Sequence, residues 1–170
     1  EVFVPKVKIG SNTFINGTID ADNTNFKLQM KSPSINAYDN QIDSLSLEID
    51  NKNPLYNTFL EVKKADFGVY AIQDFNLINT TVKDTLFFRT EFKGGESGKD
   101  NYELNFFHTL NQKQESIIGI KKSLVNFKGN AWYINRENEM NEYNKLVLNR
   151  TADSLRISNF KMAHQNQYMN

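Results

Sequence analysis

Cysteine is absent from this sequence. That removes disulfides and thiolate zinc sites, and it leaves the compartment open, because a cysteine-free chain suits cytosol and periplasm alike. An excess of one charge is also missing, since 20 basic side chains face 20 acidic ones. Lys and Arg are scattered rather than gathered into a stripe, so the footprint of a nucleic-acid binder is lacking and phosphate backbones are not expected as partners. No apolar run approaches the roughly 20 residues of a spanning helix, so the chain is not expected to cross a bilayer by itself. An initiating methionine and an apolar targeting segment are missing at Glu1, and a new run, Gln167-Tyr-Met, has only begun when the sequence stops at Asn170. Residues 1–170 are therefore expected to be a single β-rich piece of a longer protein, large enough to bury a core.

What is present is an interleaving of oily and very polar residues. Aromatics make up 12%, with 13 Phe against one Trp, while mean hydropathy is −0.59. Such short-range mixing is the composition of two-faced sheets. The clearest stretch runs from Thr85 to Lys93, where Leu86, Phe88 and Phe92 alternate with Phe87, Arg89 and Glu91. It predicts a strand with one oily face.

The same pattern recurs along the chain. Asn25 to Lys31 sets Phe26, Leu28 and Met30 against Lys27, Gln29 and Lys31, and Asp43 to Asp50 sets Leu45, Leu47 and Ile49 against Ser46, Glu48 and Asp50. A turn is expected at Ser32-Pro33-Ser34 and another at Tyr38-Asp39-Asn40. Short strands are expected at Thr58 to Lys63, Phe67 to Ile72 and Phe75 to Ile78. Beyond a polar loop at 93–101, Tyr102, Leu104 and Phe106 resume the alternation as the partner of a hairpin. Further strands are expected between Ser116 and Phe160, with one helical turn at Glu137 to Glu142. Joins of two to six residues favour antiparallel neighbours over parallel strands joined by helices. A short motif, Asp43-Ser-Leu, Asp84-Thr-Leu and Asp153-Ser-Leu, reads as a repeated strand opener.

Signatures of chemistry are weak. His108 and His164 have no cysteine and no nearby second histidine, so neither a metal site nor a catalytic role is expected, and no cofactor is implied. No carboxylate pair sits in an apolar setting that would raise one pKa for acid catalysis. Gly94-Gly95 lacks the strand–loop–helix context of a phosphate cradle. The sequons at Asn16, Asn79 and Asn149 are attributed to the high Asn content. Trp132 is expected to pack in a strand. An enzyme is not expected.

That leaves the oily faces: Phe26, Leu28, Met30, Leu45, Leu47, Ile49, Leu86, Phe88, Phe92, Leu104 and Phe106. Two all-β folds fit them. One is a closed β-sandwich whose core they fill, which would suit a binding module such as an adhesin or a carbohydrate-binding domain. The other is a set of curved antiparallel sheets forming an elongated groove, a β-taco, whose apolar lining takes a ligand. Phe87 and Phe107 place aromatics on the opposite face, and these need a cover of their own.

The C-terminal third carries a resemblance. Gly129-Asn-Ala-Trp132-Tyr-Ile-Asn135, then Asn138, then Leu155-Arg-Ile-Ser-Asn-Phe160-Lys-Met, then Gln165-Asn-Gln167-Tyr resembles a recurring segment of the TamB-like translocation and assembly module proteins of Gram-negative envelopes. Phe26-Lys-Leu-Gln-Met-Lys-Ser-Pro33 is similar in style. The resemblance implies the β-taco fold. It also implies a parent protein anchored in the inner membrane, crossing the periplasm and working with an outer-membrane barrel-assembly partner. Its implied cargo is phospholipid, whose acyl chains the eleven apolar residues would shield during transport and outer-membrane protein assembly.

Overall fold

In a computed structural model, which describes residues 7–95, 98–137, 144–149, 151–165 and 167–169, the alternation becomes fifteen strands in one antiparallel sheet. They are β1 (Val7–Ile9), β2 (Phe14–Asp20), β3 (Asn25–Ala37), β4 (Asn40–Asp50), β5 (Thr58–Asp66), β6 (Ala71–Val82), β7 (Thr85–Gly94) and β8 (Asp100–Leu110). There follow β9 (Ser116–Ile120), β10 (Ser123–Phe127), β11 (Asn130–Ile134), β12 (Lys145–Asn149), β13 (Ser154–Ile157), β14 (Met162–His164) and β15 (Gln167–Met169). No helix forms among the described residues. The expected helical turn at 137–142 lies, apart from Glu137, outside them.

From β3 to β8 each strand pairs with the next along the chain. Beyond β8 the ranks are split. β9 and β10 pair with the two halves of β8, β12 and β11 pair with β9 and β10, and β13 and β14 pair with β12 and β11. β1 and β2 share β3 in the same way. Asn144, 2% exposed, bridges the splits: its Oδ1 accepts the Lys161 N–H at 2.7 Å and its carbonyl accepts the Ile120 N–H at 3.0 Å. The main path has eleven ranks, from β1 to β15, or roughly 48 Å at ~4.8 Å per spacing.

The sheet is open and curved, not a closed sandwich. Among the described residues all extensive strand–strand contacts are between hydrogen-bonded neighbours, so no second sheet of these residues lies on the first. The reason is topological: tight hairpins keep sequential strands side by side and leave no long crossover to start another layer. The accessible surface, 12035 Å², exceeds the roughly 8,600 Å² of a compact monomer of this mass. Among the described residues, Val62, Ala65, Phe107, Ile134 and Ala163 form the buried apolar core, and no large side chain is fully buried.

Pro33 does not make a turn. It sits inside β3, opposite Ser44 of β4, where the ladder skips one pair; Ser44 stands opposite Lys63 of β5, and Lys63 opposite Asp74 of β6, and these pairs are skipped as well. Proline is tolerated here because an interrupted ladder needs no N–H from it. Ser44 and Asp74 take left-handed backbone angles, φ 53° and φ 50°. The line ends at β7 as a bulge between Gln73 and Asn76. These aligned interruptions form a crease at which the strands bend. Asp43-Ser44-Leu45 thus belongs to the crease and opens no strand, whereas Asp84 and Asp153 do precede β7 and β13. The expected strand at Phe67 to Ile72 is mostly the turn between β5 and β6, with Gly68 at φ 77°, and the expected Phe75 to Ile78 strand is the middle of β6.

Two measurements check these elements. Ser44→Val, which forces a β-branched side chain into the left-handed region, is expected to lower unfolding free energy by about 1–2 kcal/mol in urea titrations, while Ser44→Gly leaves it nearly unchanged. Equal losses in both variants would refute the strained crease. Glu115, 8% exposed, ties the β8–β9 turn to β12 and β13 through Asn111, Asn149 and Arg156. The amide hydrogen bonds of Asn111 and Asn149, followed by the Arg156 charge, hold its carboxyl below the ordinary value of 4.5. A depressed carboxylate stabilises the fold above its unfolded value and loses that contribution as pH falls through the folded one. Glu115→Gln is therefore expected to flatten the loss of stability below about pH 4.5.

Candidate functional site

Residues directly paired in an antiparallel ladder share a face, so the registers assign every strand side chain. The faces of β7 and β8 are set by the pairs Leu86–His108, Phe88–Phe106, Thr90–Leu104 and Phe92–Tyr102. Leu77 and Thr58 then fall on the same side through β6 and β5, and Leu45, Leu47 and Ile49 through β4. β3 continues it with Leu28 and Met30 and, by alternation, Phe26. All eleven candidate residues therefore stand on one face.

That face is larger than the alternating stretches suggested. It also holds Ile15 and Ile19 on β2, Leu60 and Val62 on β5 and Phe75 and Leu77 on β6. In the split ranks it continues through Ile118 and Ile120, Val125 and Trp132, Ile134 and Met162, and Leu146 and Leu148. Each strand crossing the crease takes one step of three residues instead of two: Ser32 to Ile35, Ile42 to Leu45, Val62 to Ala65 and Ile72 to Phe75. A search for a period of two misses such strands, and a search for two segments in opposite phase would have found them.

Three polar residues on this face turn their polar atoms into the backbone, while His108 and Tyr102 bond to the side chains of Ser116 and Tyr70. Thr90 Oγ1 donates to the Asn76 carbonyl at 2.8 Å, Asn79 Nδ2 to the Phe87 carbonyl at 3.1 Å and Ser32 Oγ to the Ser34 carbonyl at 3.0 Å. Asn79, 7% exposed, is thereby committed and is no glycan acceptor in this fold. Small residues along the middle, Ser32, Val62, Ala65 and Thr90, are buried beneath larger neighbours, as expected where the face curls inward. A ring ladder crosses three strands here: Phe75 lies 5.9 Å from Phe92, and Phe92 stacks on Tyr102 at 4.4 Å. Trp132 packs against the His164 ring at 5.1 Å. Nothing in the described residues covers the face, and at its ends Ile19 is 76% and Ile157 67% exposed.

The opposite face is mixed: it carries the ion pairs Lys27–Asp50 at 2.9 Å, Lys93–Asp74 at 3.0 Å and Arg89–Glu91, and it also holds Phe59, Ile78, Phe87, Phe107, Ile117, Leu124, Tyr133 and Val147. Attraction to Lys27 and backbone donation hold Asp50 below the ordinary carboxylate range. Two aromatics on this side are covered locally, whereas Phe14 and Tyr133 are exposed. Phe107, 3% exposed, lies over Gly119 of the paired strand, and the Lys121 ammonium stands 5.1 Å over the Phe87 ring. His108 Nε2 shares a hydrogen bond of 2.7 Å with Ser116 Oγ, and His164 Nδ1 lies 2.8 Å from the Ala131 carbonyl. Among the described residues no group of three or more His, Asp and Glu converges, and no helix is long and apolar enough to cross a membrane.

A Cβ at Gly119 would overlap the Phe107 ring. Gly119→Ala is accordingly expected to cost about 1–3 kcal/mol through overpacking and to lower the hydrogen-exchange protection of the β8–β9 ladder. An unchanged stability would mean that Phe107 is not seated there.

No protein-family model matches this chain, and no curated protein or solved structure does either, so its function rests on the geometry of the two faces.

Proposed function

We propose that this sheet is a segment of a lipid-shielding groove, in which acyl chains lie along the apolar face while headgroups stay in water at the strand ends. The observation that carries the reading is that all eleven alternating apolar residues, joined by Leu60, Phe75, Ile118 and Trp132, stand on one face that no second layer of the described residues covers. Removing a methylene from water is worth about 0.8 kcal/mol, so a tail of about 16 carbons needs on the order of 12 kcal/mol of shielding to leave a membrane. An extended apolar face supplies it without a closed pocket that would trap the tail. The backbone-directed hydroxyls and amides leave few polar atoms to fix a chain at one position.

The residues resembling the TamB-like family fit the same role. On that reading the chain belongs to a longer protein anchored in the inner membrane, which crosses the periplasm and passes phospholipid towards the outer membrane beside a barrel-assembly partner. Roughly 48 Å of path from this sheet would then be one section of a conduit built by joining further ranks.

Extraction of the purified protein followed by mass spectrometry is expected to return bound phospholipid. Leu104→Arg and Phe88→Arg, each placing a charge on the middle of the face, are expected to reduce that lipid at least about tenfold with an unchanged circular dichroism spectrum. Absence of lipid from the parent protein, or full retention by both folded variants, would overturn the reading.

A further inference from the structure

The strand ends form two rims. On one of them a cleft of about 830 Å³ lies between the β5–β6, β7–β8 and β10–β11 connections. Its cations are Lys64, Lys99 and Lys128, all exposed. Among the described residues its carboxylates are Asp66 and Asp100, and both accept hydrogen bonds within the rim. Asp66 accepts the Gly68 N–H at 2.9 Å, and Asp100, 6% exposed, accepts the Lys128 N–H at 2.8 Å and the Tyr70 hydroxyl at 3.1 Å. None of the three lysines forms an ion pair among the described residues. The opposite rim has another character: Asp20, Asp22, Asp50, Asp84 and Asp153 stand at its strand ends and turns, against Lys52, Lys83 and Lys113.

Tyr102 connects the cleft to the apolar face. Its ring stacks on Phe92 at 4.4 Å, and its hydroxyl lies 2.8 Å from that of Tyr70, which lines the cleft. Moving outward, the surface therefore passes from phenyl rings to hydroxyls to ammonium groups within one stretch of rim. That succession matches a molecule with an apolar tail and an anionic head.

The geometry points to this cleft as a phosphate-recognising site, with Lys64, Lys99 and Lys128 taking the phosphodiester of a lipid whose tails lie on the adjoining face. The assignment rests on the groove reading for the tails but not for the phosphate. Ammonium groups hold phosphate oxygens as point charges, so the site selects anionic heads without fixing their orientation.

The test uses the intact protein and three probes: dihexanoyl phosphatidylglycerol below its micelle concentration, uncharged dihexanoylglycerol, and inorganic phosphate. Calorimetry is expected to show the phospholipid binding about tenfold or more tightly than the glyceride, with the difference shrinking as salt is raised. Replacing the lysines together (Lys64→Gln, Lys99→Gln, Lys128→Gln) is expected to abolish that preference and leave glyceride binding unchanged. Equal affinities for the two lipids in the unsubstituted protein, or a preference that survives the triple substitution, would overturn the proposal. Phosphate binding that the triple variant loses, with neither lipid bound, would uphold the site for free phosphate and count against the groove.

Discussion

The main-chain ladder between neighbouring strands holds this structure together, because almost nothing else does. In a two-layer protein, side chains packed between layers carry much of the stability. Here the layers are replaced by a succession of ranks, each bonded only to the rank before and the rank after. Cohesion is then nearly one-dimensional, a sum of neighbour terms, as in solenoid proteins. It follows that each rank must match the next in length, register and face. It also follows that, among the described residues, the end ranks have a neighbour on one side only and carry exposed Ile19 and Ile157, the condition in which sheets acquire further strands.

The crease obeys the same logic. Side chains alternate with a period of two, so a residue inserted into one strand alone would send the rest of that strand's apolar residues to the opposite face. The insertion is made at matching positions in β3, β4, β5 and β6, at Pro33, Ser44, Lys63 and Asp74. The four phase changes cancel across the ladder. The sheet gains a bend, and the apolar residues remain together. The left-handed backbones of Ser44 and Asp74 cost free energy that a straight strand would not spend.

Much of this was legible in the residues. Wherever a strand keeps one phase, as in Asn25 to Lys31, Thr85 to Lys93 or Tyr102 to Phe106, alternation identified both the strand and the face it presents. It misled where the ladder decides the meaning of a residue. Pro33 between two serines reads as a turn, and only the partner opposite it, Ser44, reveals an interrupted pair. Phe67 to Tyr70 reads as a strand, yet Gly68 at φ 77° turns the chain there. Whether the oily faces would close on each other or stay open was beyond periodicity, because that depends on connections. The lysine cleft was out of reach for a related reason: residues 64, 99 and 128 meet only because three separate hairpins end on the same rim.

On the proposed reading, an open apolar face and a lysine rim would divide the work of recognition. The face is built from aliphatic and phenyl groups whose polar neighbours are bonded to the backbone, so it offers shielding with little directional preference. Binding of that kind is roughly proportional to buried area and insensitive to position, which allows a tail to shift from rank to rank at small cost. Discrimination between ligands needs directional or charged groups, and these are confined to the strand ends, where water screens them. A groove of this kind can therefore hold its cargo strongly and still release it along its length, provided that the rim contacts are individually weak. Exposed lysines would satisfy that condition on the proposed reading: each contributes at most about 1 kcal/mol, which in combination would favour an anionic head without stopping it from moving on.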